Sequence, residues 1–259
     1  MTLSLLLFAC SPPIQAPKDL AELGGWMFAR FDEDGLDVGV VEVERLVAEM
    51  AAAEDLDDRT VSMPALEDIG GITGPDVPLE DQLPVAVAGF SGHDLDTHLG
   101  LVGEANQVCI ESNTTAYYRR THLDAFCLDE GCERVDTDNE VRKETAIAQV
   151  WYDLKKDHRL LELEDGRRAM VARSWIEESF PADQEEYSWD AFYTLEVWLE
   201  DGSQTLRWQS VWSAVELGPV GPDLYMTTVK NAIDEGFTNA DAFVDDEPCE
   251  MDRDAEYVR

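Results

Sequence analysis

Two tripeptides, Glu164-Asp165-Gly166 and Glu200-Asp201-Gly202, each stand between paired apolar runs, and they constrain the fold more than any other feature of the chain. Asp-Gly supplies the positive φ angles that a tight hairpin requires, so each tripeptide marks an antiparallel pair of strands. Around them, Ala146 to Leu154, Arg159 to Leu163, Ala169 to Trp175, Phe192 to Leu199 and Thr205 to Leu217 are rich in Val, Trp, Tyr and Leu and read as strands. In the second hairpin Tyr193, Leu195, Val197 and Leu199 share one face, and Thr194, Glu196 and Trp198 share the other. At least one of those faces must be buried.

Upstream, Pro84 to Phe90 reads as a first strand and His93 to Val102 as a short helix. Downstream, Gly218 to Pro222 breaks the chain, and Asp223 is placed to cap a helix through Phe237. Tyr225, Val229, Ala232 and Ile233 give that helix an apolar stripe. The order of strand, helix, hairpins and closing helix resembles the helix-grip fold of START and Bet v 1-like domains. In those domains a curved antiparallel sheet wraps a terminal helix around a hydrophobic cavity. The resemblance implies an α+β fold, helix-grip-like, with a C-terminal helix packed on the sheet; a lipocalin-like barrel or a cystatin-like sheet has a similar trace.

The segment before the main domain divides differently. Gly24 to Phe31 has strand-like composition, whereas Val40, Val43, Val47 and Met50 recur at helical spacing. Asp57 to Pro78, with Gly70-Gly71 and Gly74-Pro75, reads as a loop forming a seam. The expected organisation is a signal peptide over 1–9, a lipidated tether over 10–18 and a small N-terminal accessory region over 19–83. An antiparallel α+β domain over 84–244 and an acidic tail over 245–259 follow.

At the start, Leu3, Leu5, Leu6, Leu7 and Phe8 form an apolar run that stops at Ala9-Cys10. It is too short to cross a bilayer, which takes about 20 apolar residues, and it has the length of a signal-peptide core. Leu7-Phe8-Ala9-Cys10 resembles the lipobox of bacterial lipoproteins, although the leader lacks a basic residue. That resemblance implies acylation of Cys10 after cleavage. Ser11, in place of Asp, implies the outer membrane by likeness to the enterobacterial sorting pattern. The Trp-rich carboxyl half resembles predicted lipoproteins of myxobacterial type, which bring no established activity.

Charge narrows the partners. The formal net charge is −37, from 56 acidic and 19 basic residues. Nucleic acid is a poor partner for such a chain, because its binders need a basic patch. Anionic lipid headgroups are equally unattractive, so attachment to a membrane has to come from acyl chains. With 44% hydrophobic residues and 7 Trp, 7 Tyr and 9 Phe, the chain can fill a true core.

Four cysteines follow Cys10, and three pairings are open to them. Cys127 and Cys132 enclose a Gly-containing turn, which favours a Cys127–Cys132 bond with Cys109–Cys249 as its complement. The competing zinc reading, His122-x4-Cys127-x4-Cys132, is looser than structural zinc sites, which use tighter cysteine pairs and a fourth ligand. Other constellations are weak. Gly89-Phe90-Ser91-Gly92-His93 follows a strand as a nucleophile elbow does, but His93 occupies the place of the second glycine. His93 and His98 are five residues apart, which does not put both rings on one helical face. Asp32 to Asp37 lacks the first and last ligands of a calcium loop, and Asn113-Thr114-Thr115 fits a glycosylation sequon. No catalytic residue, metal or cofactor is assigned, and an enzyme is the less favoured class.

Among the aromatic residues, Trp151, Trp175, Trp198, Trp208 and Trp212 are either core or the lining of a cavity, two uses that periodicity does not separate. Two functions stand. One is a membrane-anchored, non-catalytic binder of a lipid or other hydrophobic small molecule. The alternative is a structural or protein-interaction lipoprotein of the cell envelope with a solid core, with an unidentified hydrolase a distant third.

Overall fold

A computed structural model describes residues 14–52, 60–75, 82–144, 148–183, 187–216 and 218–249. Cys10 and the leader, and residues 250–259 of the acidic tail, lie outside the described residues.

Gly24 to Phe31 is helical, which overturns the strand expected there: α1 spans Leu20–Ala29. Asp19 starts it by accepting hydrogen bonds from the Ala21 and Glu22 amides. Leu20, Leu23, Met27 and Phe28 then fall on one buried face. Gly24 is required by close approach, since a Cβ there would come within 2.5 Å of Met63 and 2.9 Å of Trp208. The second helix, α2, covers Leu36–Ala52, with Val40, Val43 and Val47 buried at the spacing anticipated.

The sheet is antiparallel throughout the described residues and curved. Its strands are β1 (Thr60–Ser62), β2 (Leu83–Ser91), β3 (Thr115–His122), β4 (Arg134–Glu144), β5 (Gln149–Glu162), β6 (Arg168–Trp175), β7 (Phe180–Pro181), β8 (Ser188–Asp201) and β9 (Gln204–Glu216). They run in the order β1-β2-β9-β8-β6-β5-β4-β3, with β7 paired to β8. Both Asp-Gly turns are hairpins, with Gly166 at φ 84° and Gly202 at φ 64°. Helix α3 (Leu95–Gly103) follows β2, and α4 (Pro222–Val244) closes the chain.

Three boundaries differ from expectation. β5 is one strand of 14 residues where two were expected, because Lys155 to His158 interrupt the apolar pattern without interrupting the ladder. β3 and β4 were not anticipated at all, since their Arg, Thr, Asp and Asn residues conceal the period of two. α4 begins after Gly221 with Pro222 at its first position, rather than on an Asp223 cap, and continues to Val244.

Both faces of the sheet are covered. On the convex face Leu195, Val197, Trp208 and Trp212 pack with Leu23, Met27 and Phe28 of α1 in one cluster. An ion cluster pins the turn after α1 to the same face. Arg173 reaches Asp32 at 2.5 Å and Asp157 at 3.2 Å, and Arg134 reaches Asp32 at 2.6 Å and Asp157 at 3.1 Å. Asp32, which opens the stretch that falls short of a calcium loop, is thus an anchor for the helical pair. The concave face is shared by α4, whose Ile233 and Phe237 pack on Val85, Val87 and Val211, and α3, whose Leu95, Leu99 and Val102 pack with Met170 and Trp198.

Two disulfides are present, Cys127–Cys132 and Cys109–Cys249, with Cα atoms 5.5 Å and 5.7 Å apart. The first closes a single turn around Leu128–Glu130, with Gly131 at φ 87°. The second ties the chain beyond α4 to the loop after α3.

Candidate functional site

Between the concave face and α4 lies a cavity of about 450 Å³, within the range of small-molecule sites. One stripe of α4 forms its roof: Tyr225, Val229, Ala232, Ile233, Gly236 and Phe237 all line it. Tyr225, Val229, Ala232 and Ile233 were legible from their helical spacing, and Gly236 and Phe237 continue the same row. The floor comes from strand residues whose side chains alternate away from the convex core.

One end of the cavity is aromatic. Tyr152 and Phe180 stack with centroids 4.6 Å apart, and Phe180 and Trp189 with centroids 5.5 Å apart. The Trp189 indole N–H donates to the Tyr225 hydroxyl at 3.2 Å, which donates to Ser213 at 2.9 Å. This chain of bonds joins the first turn of α4 to β8 and β9.

A polar belt crosses the floor beyond it. Lys156 lies in register with Thr137 and Ser174, and Ser174 with Thr194. One row along, His158 aligns with Ala172, Ala172 with Glu196, and Glu196 with Gln209. Lys156 Nζ donates to Glu196 Oε1 at 2.6 Å, a pair about nine-tenths buried on both sides. Ser174 and Thr194 share a hydrogen bond of 2.5 Å. His158 is buried, and its Nδ1 lies 3.1 Å from the Val135 carbonyl. A carbonyl only accepts, so Nδ1 carries the proton and Nε2 is left as an acceptor. Burial, then the Arg120 and Lys156 charges, hold the pKa of His158 well below the usual histidine value, which keeps the ring neutral. Arg120 completes the belt from β3.

Of the five tryptophans considered as lining, Trp198 is on the cavity wall, with its buried indole N–H lacking a hydrogen-bond partner. The other four are elsewhere. Trp208 and Trp212 are fully buried in the convex core, and Trp175 packs half-buried against that core. Trp151 borders a separate groove with Lys155, Glu177 and Pro181. The assignment turns on the parity of each position along its strand. Arg120, Lys156, His158 and Glu196 were missed in the sequence, although Lys156 and His158 alternate in phase with Tyr152 and Leu154.

Ser91, the elbow serine, donates to Asp241 at 2.7 Å. His98 is fully buried and neutral, its pKa pushed down to about 4 by burial and by the Arg207 charge. His93 faces Asp245 at 3.6 Å. His122, far from any thiolate role, has Nε2 3.2 Å from the Val102 carbonyl, while Cys127 and Cys132 are bonded to each other. Asn113 accepts from Asn239 at 3.2 Å.

A curved antiparallel sheet holding a C-terminal helix over an interior cavity defines the helix-grip class of fold. No known family model matches the chain, and no curated protein matches it. Among solved structures, it is similar to a fragment of the STAR-related lipid transfer protein of Xanthomonas axonopodis, with TM-score 0.44 and 10% identity over 62% of this chain and 85% of that one. A START superfamily protein of Mycobacterium smegmatis gives TM-score 0.39 and 9% identity over 63% of this chain and 97% of that one. The Zhui aromatase/cyclase of Streptomyces sp. R1128 gives 0.38 and 10% over 63% and 91%.

Proposed function

We propose that this protein is a lipid-anchored, extracytoplasmic binding protein that takes a hydrophobic small molecule into the cavity under α4, without catalysis. The observation that carries the reading is the 450 Å³ interior itself, with aromatic rings at one end and a few placed polar groups across its floor. Small-molecule sites are concave and lined mainly by apolar and aromatic side chains with a few polar groups, so a cleft of this size and lining favours binding over a solid-core structural role. The direct test is fluorescence of the neutral probe N-phenyl-1-naphthylamine with the purified protein, together with extraction of co-purified molecules. Saturable enhancement supports the reading, and no enhancement with nothing extracted returns the chain to the structural role.

The anchor is the lipobox-like Cys10. Ile14 packs beside Gly35, and Ala16 touches the convex core, so the folded body begins close to the cysteine. Four residues of extended chain reach about 14 Å at most, so an acylated Cys10 would hold the convex side near the bilayer. Mass spectrometry of the amino-terminal peptide tests this: acyl chains on Cys10 support the anchor, and an unmodified Met1 removes it. A Cys10→Ala protein that stays in the membrane fraction also counts against it.

A further inference from the structure

We propose that the cavity's ligand is an amphipathic acid whose carboxylate sits on Arg120; this rests on the cavity being a ligand site. Arg120 is only 6% exposed. Its Nε donates to the Asn139 side-chain oxygen at 3.1 Å and its Nη1 to the Val102 carbonyl at 2.9 Å. Tyr118 beside it offers a hydroxyl and a ring face 5.8 Å away. All of these partners are neutral.

Other buried cations of the sheet are treated differently. Lys156 has Glu196, Arg173 has Asp157 and Asp32, and Arg207 has Asp241. A desolvated cation that faces only dipoles is costly to keep charged, and a guanidinium does not escape by losing its proton. Its five donors form a planar fork that matches a carboxylate through two parallel bonds. An anion arriving through the cavity therefore completes Arg120 as Asp241 completes Arg207.

Two objections are met by position. The Lys156–Glu196 pair is already neutralised, so it sets no preference for sign. Glu111 also lines the cavity, but it is half-buried and, among the described residues, holds no ion pair with Arg120. The net charge of −37 repels anions at long range. Salt near physiological strength screens exposed charges beyond about 8 Å, whereas a contact inside the cavity is little screened.

The experiment uses the full chain with N-phenyl-1-naphthylamine bound, displaced by dodecanoate or by dodecan-1-ol at a pH where the acid is ionised. A charge-assisted pair should favour the acid by at least about tenfold in dissociation constant. Arg120→Gln should abolish that preference, and Arg120→Lys should retain part of it. Equal affinities in the wild-type protein overturn the proposal, and that comparison stands even if the Gln variant does not fold. A preference that survives Arg120→Gln also overturns it. If the naphthylamine itself fails to bind, the cavity reading falls and this proposal with it; if it binds and neither chain displaces it, only this proposal falls.

Discussion

Arg207 on β9 and Asp241 in the last turns of α4 meet side on, through two hydrogen bonds of 3.0 Å each. The guanidinium also donates to the Phe237 carbonyl at 3.0 Å and lies over the Phe237 ring at 4.5 Å. Ser91 adds a bond of 2.7 Å to the same carboxylate. The buried residues of α4, Ile233, Phe237 and Ala240, belong to this same half of the helix. The roof of the cavity is therefore fastened at its C-terminal end by charge, packing and the Cys109–Cys249 bond together.

Removing Asp241 should be expensive. Its loss leaves Arg207, whose side chain is 3% exposed, without its carboxylate, and Asp241→Ala should destabilise the protein by about 3 kcal/mol. The neighbouring pair of His93 with Asp245 is far more exposed, and Asp245→Ala should cost less than about 1 kcal/mol. Urea unfolding of the two variants separates these outcomes; equal costs would show that the bidentate contact contributes nothing special.

Part of the acid sensitivity should trace to His98, alongside the buried His158. An unfolded histidine titrates near 6.5, whereas in the fold burial, and then Arg207, bring His98 down to about 4 against the opposing pull of Asp241. The unfolded chain then binds the proton more tightly, so this contribution is intact above pH 6.5 and is lost as the pH falls towards 4. The full loss is about 3 kcal/mol. In His98→Leu, the gap between unfolding free energies measured at neutral pH and near pH 4 should shrink by most of that amount. An unchanged gap would assign the acid response to other groups.

The two disulfides should differ in weight. Cys109–Cys249 spans 140 residues and Cys127–Cys132 spans 5. On the chain-entropy model the long loop contributes at most about 5 kcal/mol and the short one about 2 kcal/mol. Cys249→Ser should accordingly lower the urea midpoint much more than Cys127→Ser does.

Filling the cavity should abolish binding without unfolding the protein. Ala232 is half-buried on the face of α4 that lines the interior. Ala232→Trp places an indole there at an overpacking cost of about 1–3 kcal/mol. Naphthylamine fluorescence should vanish while the circular dichroism of the variant matches the parent; undiminished binding would move the ligand site elsewhere.

The sequence alone determined the antiparallel hairpins, because Asp-Gly turns and alternation are local properties. It determined the terminal helix and its apolar stripe for the same reason, and it favoured, among three open pairings, the Cys127–Cys132 and Cys109–Cys249 bonds that the structure holds. It left α1 unread as a helix, since Gly24-Gly25 and a dense aromatic run favour a strand until Asp19 caps the turn and the Trp208 ring requires a glycine against it. It also passed over β3 and β4, whose polar residues are stable there only because Asn139 bonds the Leu154 carbonyl and Thr137 the Lys156 carbonyl.

Tertiary structure decided which side of the sheet was core and which was cavity. Trp198 and Trp208 are equally apolar and stand in neighbouring strands, yet one packs against α3 beside the cavity and the other packs with α1. A strand's period of two gives both faces, and it does not say what covers either. Only the packing of α1 and α2 on the convex side and of α3 and α4 on the concave side assigns Trp208 to the interior and leaves Arg120, Lys156 and His158 around an open space.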